Sequence, residues 1–283
     1  MDFKSDLLDV KPEDLYEIRK KYNLESDERR NEAIDMLQDW INKQEHFMRK
    51  DFSRHYLETG LVMNKGSIER TKQRIEKLCT LRTLMPEFFQ DINPKDLTGL
   101  DQFHFFSFSY QLAEYLRHHD YCNGFVIVFD NSEINMMDLL TGFNLVETKN
   151  LLTLLFDGYG MRMKGMHIIV NNSSSSIVYE VLLKLCKAVM SEKLANRIYM
   201  HRSYDELFKH VKKEIMPVDY GGTALPIQEL SGNKWMDAIS SEEHMKLMKE
   251  VNQFKINPAM KKNIKYYEDY FGLPGSFRKL EVD

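Results

Sequence analysis

Two pairs of basic residues are the features of this sequence most suited to binding an anion. Arg162 and Lys164 flank a glycine-rich turn before a predicted strand, and Lys193 and Arg197 are four residues apart. Guanidinium and ammonium groups bind phosphate through charge-assisted hydrogen bonds. Surface lysines and arginines are more often solvated, so the spacing alone leaves phosphate binding and simple solvation both open.

His118, His119 and Asp120 could form a metal site or an acid–base pair. Adjacent histidines on a helix point to different faces, however, and no other His or Cys has the spacing of a metal ligand. We therefore expect solvated polar side chains here. The sequence also lacks a nucleophile elbow, a phosphate-binding loop, a dinucleotide-binding glycine motif and a zinc-protease motif. It predicts no enzyme, no cofactor and no metal.

The composition excludes several classes of protein. Of 283 residues, 43% are hydrophobic, 29% are charged and only 20 are Gly or Pro, which excludes collagenous and largely disordered chains. A net charge of −4 gives no expectation of nucleic-acid binding. Three widely spaced cysteines predict no disulfide framework, and no apolar run reaches the roughly 18 residues of a spanning helix. We expect a cytoplasmic protein without a signal peptide.

The elements that would position the basic residues belong to two predicted domains, 1–95 and 96–283. The first has helical periodicity, with Ser26 and Ser67 as N-caps of two helices. Prolines and a glycine then mark the boundary: Pro86, Pro94 and Gly99. The apolar face of the first capped helix comprises Ala33, Ile34, Leu37, Trp40 and Ile41.

The second domain has the pattern of alternating strands and helices. Residues 124–130 and 166–171 are short apolar runs typical of buried strands, and 137–157 between them has helical spacing. A helix near 175–190 and a strand at 197–201 repeat the pattern, which predicts parallel crossovers in an α/β layer. Segment 103–121 fits either an aromatic strand or a helix, and we predict a helix.

The helix after Val178 has an unusually wide apolar arc. Its polar residues form one narrow stripe of Glu180, Lys184, Lys187 and Ser191. The arc exceeds the ~100° needed to pack against one surface. Spacing alone favours a helix sandwiched in a core over a ligand-facing or membrane-facing helix. The run 172–176 before it is predicted as a polar turn with an N-cap, and a phosphate cradle is the alternative.

Three segments give the sequence a family likeness: 163–171 (MKGMHIIVN), 190–201 (MSEKLANRIYMH) and 216–222 (MPVDYGG). They resemble the CRAL-TRIO lipid-transfer family, in its α-tocopherol-transfer and retinaldehyde-binding branch, and its insect members most. The likeness extends from the N-terminal helices through 80–89 to 275–280.

The resemblance implies a small N-terminal helical domain and an α/β domain with a mixed sheet, an apolar cavity and a helical gate at 176–190. In this branch, the residues that hold phosphoinositide head groups correspond to Arg162, Lys164, Lys193 and Arg197. The sequence departs from the family around Glu58, where a basic residue is replaced, at Gly160 and Ala188, which replace prolines, and in a shortened segment near 100–123.

The resemblance therefore implies a monomeric carrier of one hydrophobic small molecule, a tocopherol, retinoid, carotenoid or other isoprenoid-like lipid, which it transfers at phosphoinositide-containing membranes. The alternative is an interaction module that kept the fold and lost the cavity; a lipid-modifying enzyme would need a nucleophile or metal set that we do not find. The implied ligand-binding residues are Phe125, Ile127, Phe129, Leu151, Leu154, Leu155 and Met166, with Val178, Val181, Leu182, Leu185 and Val189 from the gate.

Overall fold

The computed structural model describes residues 7–8, 11–96, 102–121, 124–135, 140–170 and 173–261. The helices up to the sheet are α1 (Pro12–Lys21), α2 (Asp27–Asn42), α3 (Arg54–Met63), α4 (Ile68–Leu84) and α5 (Gln102–His119). The sheet and its connections are β1 (Phe125–Asp130), α6 (Leu145–Leu152), β2 (Met163–Ile169), α7 (Ser173–Ala188), α8 (Glu192–Ala195) and β3 (Ile198–His201). The remaining α-helices are α9 (Tyr204–Leu207), α10 (Ile227–Leu230), α11 (Lys234–Ile239) and α12 (Glu242–Val251).

Serine caps define the N-terminal helices. Ser26 Oγ accepts a hydrogen bond from the Arg29 backbone N–H at 3.4 Å, and Ser67 Oγ accepts one from Arg70 at 3.3 Å. Each bond satisfies a backbone donor that the helix cannot satisfy internally. Both predicted N-caps are confirmed, and the α2 residues Ala33, Ile34, Leu37 and Ile41 are buried as expected.

The largest hydrophobic core, which we call the first core, joins the N-terminal helices to α5 and to the segment after α12. It contains Leu37, Leu61 and Leu78 from α2, α3 and α4, with Tyr110 from α5 and Phe254 from the segment after α12. Segment 103–121 is thus a helix for most of its length, and Phe106 and Tyr110, four residues apart on one side of it, pack in this core. The division into domains at residue 95 stays a prediction.

The C-terminal segment 252–257 closes this core against the loop after α2. Phe47 and Ile256 form an antiparallel bridge, and the Asn257 N–H donates to the His46 carbonyl at 2.7 Å. The Ile256 N–H also donates to Thr83 Oγ1 at 2.9 Å. Residues about 200 positions apart in the sequence therefore form one side of the same core.

A buried ion pair lies inside this core. The Arg82 guanidinium of α4 donates to the Glu114 carboxylate of α5, and the side chains of both residues are at most 1% exposed. Tyr159 donates to the same carboxylate, while Arg82 also donates to Tyr56 Oη at 3.1 Å. Burial raises the pKa of Tyr56 and Tyr159, which keeps both hydroxyls protonated, Tyr56 as the acceptor from Arg82 and Tyr159 as the donor to Glu114.

The described strands form a parallel sheet in the order β1-β2-β3. The predicted parallel crossovers are confirmed. The resemblance implied a mixed sheet, whereas every strand pair in the described part is parallel. The helical connections bring the chain back to the end of the sheet at which the previous strand began, so consecutive strands run in the same direction. Ile127, Met166 and Ile198 lie at the same level across the three strands.

The sheet has two covered faces. We call the face with Ile127, Phe129, Met166, Ile168 and Ile198 the front face; α6 and α7 pack against its apolar core. We call the face with Val128, His167, Ile169, Tyr199 and His201 the back face. There Ile169 packs with Leu207, Val211 and Met216 in a separate core, which we call the third core. The segment 202–216 that covers the back face is called the covering segment.

The helix predicted over 137–157 is interrupted before α6. Residues 140–142 are helical, and Asn144 Oδ1 then accepts hydrogen bonds from the backbone N–H groups of Val146 and Glu147, which starts α6 at Leu145. Residues 136–139 lie outside the described part. At the other end, 153–158 continue as a π-helical turn, with the Tyr159 N–H donating to the Leu154 carbonyl at 2.9 Å.

No helix in the described part of the chain is both long and apolar enough to cross a membrane.

Candidate functional site

The second hydrophobic core lies on the front face of the sheet. The strands form one side of it, and α6 and α7 form the other. Phe156, Met163 and Ile198 are buried at its centre. Four side chains implied as ligand-binding pack around them and are only partly buried: Phe125, Ile127, Leu155 and Met166. These four therefore lie together and keep apolar surface that a bound molecule could cover.

Phe129 lies further along the same face. Its ring centroid is 6.2 Å from that of Phe105, an α5 residue that is 46% exposed. Alternation along β1 places Phe125, Ile127 and Phe129 on one side of the sheet, as the sequence indicated. The aromatic pair extends the front face toward α5.

Leu151 and Leu154, which the resemblance implies as ligand-binding residues, lie away from the front-face core. Both belong to the first core, and Leu154 is fully buried. A Cβ atom at Gly158 would lie 3.0 Å from Leu81 Cδ1 and 3.6 Å from Leu154 Cδ1, so the missing side chain lets α4 approach this turn closely. These two leucines pack toward α4, because α6 is apolar on two sides.

Helix α7 faces the sheet with residues that the sequence did not single out. Leu183 on the helix and Met190 just after it pack against the front-face core, and Tyr179 is buried. The missed residues Leu152 and Phe156 belong to the same core. The apolar arc of α7 is too wide for periodicity to indicate which side faces inward, so this choice needed the structure.

The implied gate residues lie beside and outside that inward face. Val178, Leu182 and Val189 are partly buried, whereas Val181 and Leu185 are 56% and 44% exposed. Ile177 adds an exposed apolar side chain at 66%. One helix therefore presents apolar side chains to the sheet and to solvent at once. Part of the adjoining polar run, Ser173–Ser176, lies within the helix instead of forming a turn.

Arg162 has a structural role in addition to its charge. Its guanidinium donates to the carbonyl oxygens of Val62 and Met63, at 2.8 Å and as close as 2.5 Å, and to Tyr22 Oη at 2.6 Å. Those carbonyls belong to the last turn of α3, where a helix provides no i+4 donors, and the Val62 carbonyl also accepts the Lys65 N–H at 3.0 Å. Arg162 thus ties α1 and α3 to the start of β2.

The other three cations also lie near the amino-terminal ends of the strands. Arg197 Nη1 donates to the Met163 carbonyl at 2.5 Å, and the Lys164 stem crosses Gly124, where an added Cβ would lie 2.6 Å from Lys164 Cε. Lys164 and Lys193 are exposed, and neither ammonium bonds to a described residue. The guanidinium groups of the two arginines are therefore bound to backbone carbonyls, whereas the ammonium groups of the two lysines can bind an anion from solvent.

A small pocket adjoins this edge of the sheet. Its lining includes Met63, Leu116, Asp120, Phe125 and Arg162. Burial raises the pKa of Asp120. The pocket connects the Arg162 anchor with the first residue of the front face.

His118 and His119 are not the solvated side chains that we expected. They are partly buried with His55 in a ring cluster, in which His55 and His118 centroids are 5.1 Å apart and His119 lies 4.3 Å from Tyr115. No group of three or more His, Cys, Asp or Glu residues in the described ranges is arranged to hold a metal ion. Among the described cysteines, Cys79 and Cys186 are free thiols, and Cys122 lies outside those ranges.

Comparison with known proteins agrees with this architecture. The CRAL/TRIO domain matches residues 58–222. A mouse (Mus musculus) protein described as alpha-tocopherol transfer protein-like is 22% identical over 266 residues, which cover 82% of this chain and 76% of the relative. Human (Homo sapiens) and orangutan (Pongo abelii) proteins of the same description are each 27% identical over 122 residues, 43% of this chain and 33% of theirs.

The matched region runs from α3 through all three strands to the turn after the covering segment, and thus contains both cores of the sheet. It comprises more than half of the chain. This protein therefore belongs to the CRAL-TRIO family.

Proposed function

We propose that this protein is a cytoplasmic carrier that binds one tocopherol-like, retinoid, carotenoid or other isoprenoid-like lipid and exchanges it at phosphoinositide-containing membranes. Membership of the CRAL-TRIO family supports a lipid-binding carrier, and the names of the relatives support the tocopherol class. The observation that carries the proposal is α7, which covers the front face with one apolar side and exposes another.

The two sides of α7 have different roles in this mechanism. The partly buried front-face residues would cover the lipid, and affinity would come from removing apolar surface from water at about 25 cal/mol per Å². The exposed residues Ile177, Val181 and Leu185 would enter the membrane interface when the helix moves away from the sheet. Opening at a bilayer would then couple membrane contact to lipid exchange.

The pocket is tested by adding volume on the front face. We expect Met166→Trp to lower lipid affinity about tenfold, equivalent to ~1.4 kcal/mol of binding, because the indole occupies space that the lipid needs. Native mass spectrometry against a panel of isoprenoid lipids measures occupancy. Val146→Trp is the control, since that side chain is 67% exposed. Equal losses of occupancy and melting temperature in Met166→Trp would indicate ordinary core packing.

A second candidate function is an interaction module without a bound lipid. It is favoured by the direct packing of Leu183 and Met190 on the front-face core, which leaves α7 seated on the sheet. In native mass spectrometry, a parent protein that retains no lipid from the panel would support the module and contradict the carrier.

We expect variants of the two lysines and of the two arginines to have different effects. Lys164→Ala with Lys193→Ala should reduce flotation with phosphoinositide vesicles severalfold and leave the melting temperature unchanged, because exposed lysines contribute to head-group binding and little to packing. Arg162→Ala with Arg197→Ala should lower the melting temperature as well, since each guanidinium holds a strand or helix carbonyl.

Lys209→Ala with Lys212→Ala is the matched control. Both lysines are exposed, and both belong to the covering segment. Flotation across a salt series separates specific binding from general attraction. If the Lys164 and Lys193 variant floats like the parent at every ionic strength, these lysines do not bind the head group.

A further inference from the structure

Three histidines meet on the back face of the sheet, away from the proposed lipid site. His167 of β2 and His201 of β3 are each 4% exposed, and His167 Nδ1 lies 2.8 Å from His201 Nε2. Their rings are nearly parallel, at 13° with centroids 5.1 Å apart. A hydrogen bond between two imidazole nitrogens requires one ring to donate and the other to accept, so at least one of these two rings is neutral.

The third histidine comes from the covering segment. The His210 ring centroid is 5.5 Å from that of His167 and 5.4 Å from that of His201. Tyr199 stacks beside them, with centroids 5.1 Å from His167 and 5.0 Å from His210. We call these three histidines the histidine cluster. Because His210 is exposed, protons can reach the cluster from solvent.

Close backbone packing leaves the cluster little freedom to separate within the sheet. A Cβ atom at Gly165 would lie 2.8 Å from His167 Nε2, so the ring occupies the space of the missing side chain. His167 and His201 are both fixed by strand pairing, and β2 and β3 stay in register through this level. Only His210, on the covering segment, can move away without breaking the sheet.

Few negative charges are available to stabilise charged imidazoles here. Glu206, in α9, is the acidic group whose charge favours protonated His201, and its carboxylate already accepts the Arg202 N–H at 2.7 Å. Asp130, at the end of β1, accepts hydroxyl hydrogen bonds from Ser132 and Tyr204. Beside the cluster, β1 contributes the apolar Val128 and β3 the neutral phenol of Tyr199.

The electrostatics oppose protonation. Burial first, and then the neighbouring imidazoles, lower the pKa of His167 to about 4. Burial and His210 lower the pKa of His201. A histidine whose folded pKa lies below its unfolded value stabilises the folded form above about pH 6.5, and this contribution is lost as the pH falls toward about 4.

We propose that the histidine cluster is a proton-sensitive latch that holds the covering segment on the sheet while its imidazoles are neutral and releases it on acidification. Like charges within about 5 Å repel, and the two strand histidines cannot separate, so the segment that carries His210 moves. The third core at Leu207, Val211 and Met216 opens with it. The latch is independent of the lipid proposal, because it lies on the other face of the sheet.

Hydrogen exchange tests the latch in the full-length protein. After correction for intrinsic exchange, peptides from 204–216 should exchange about tenfold faster at about pH 5 than at about pH 7.5. His244→Gln lessens the general loss of stability in acid and should leave this acceleration unchanged, because His244 lies in α12, outside the histidine cluster. His167→Gln with His201→Gln should abolish the difference at 204–216, and His46→Gln, whose ring bonds the Glu76 carboxylate of α4 instead, should preserve it.

A milder variant keeps the test decisive if the double variant loses structure. His210→Gln changes an exposed side chain and leaves the strand pair intact, and it should reduce the acceleration at 204–216 to about threefold or less. The proposal is overturned if the parent shows equal protection of 204–216 at both pH values. It is also overturned if His210→Gln retains the full tenfold acceleration.

Discussion

Replacing Glu114 by leucine should lower the free energy of unfolding by about 3–5 kcal/mol. The change leaves the Arg82 guanidinium, whose side chain is fully buried, without its carboxylate partner. It also removes the acceptor of the Tyr159 hydroxyl. An uncompensated charge in the interior costs far more than a lost surface contact, so the effect should exceed that of most single substitutions. Equilibrium unfolding in urea measures it.

Two further variants identify the cause. Arg82→Met combined with Glu114→Leu should recover much of the loss, because removing both charges leaves no isolated ion. Arg54→Met is the control, since the Arg54–Asp35 pair is 55% and 62% exposed and should contribute less than about 1 kcal/mol. A Glu114→Leu variant as stable as Arg54→Met would show that the buried pair contributes nothing.

The second large effect is a loss of global stability in mild acid. Burial lowers the pKa of His55, His119 and His244 to about 4. The unfolded chain protonates histidine near pH 6.5, so between about pH 6.5 and about 4 the unfolded state binds more protons. The unfolding free energy must therefore decrease as the pH falls through this range.

Among these three histidines, His244 makes the largest contribution, because it is only 2% exposed. A shift of about 2.5 pH units corresponds to about 3 kcal/mol, whereas solvent screening reduces the contribution of the partly exposed His55 and His119. Urea unfolding at a series of pH values gives the slope, and His244→Gln should flatten it by about half. A pH-independent unfolding free energy over this range would contradict the expected deprotonated state of these rings.

The order and type of the main elements could be predicted from the sequence because local patterns determine them. Serine caps at Ser26 and Ser67 and the apolar runs of β1 and β2 each depend on neighbouring residues alone. The break between the helical residues 140–142 and α6, at the Asn144 cap, was not predicted, because the apolar spacing continues through it. The alternation of strands and helices was sufficient to predict parallel pairing.

The candidate site was less predictable, since its arrangement depends on long-range packing. Nothing near Arg162 in the sequence indicates that the last turn of α3, about 100 residues earlier, supplies the carbonyls that it binds. Likewise, the two apolar sides of α7 are equivalent in periodicity, and only the sheet selects Leu183 as the inward residue. The histidine cluster escaped detection because parallel pairing makes diagonal neighbours of His167 and His201, which are 34 positions apart in the sequence.

The contact between Phe47 and Ile256 has a consequence for synthesis of the chain. During translation, α2, α3 and α4 leave the ribosome long before residues 252–257 exist, so the nascent helices expose the apolar surface that Phe254 and Ile256 later cover. Such sequence-distant contacts also slow folding, because a long loop must close first. The N-terminal helices of this protein therefore keep this apolar surface exposed until residues 252–257 have been made, and we expect chains interrupted before residue 252 to bind chaperones more than the full chain does.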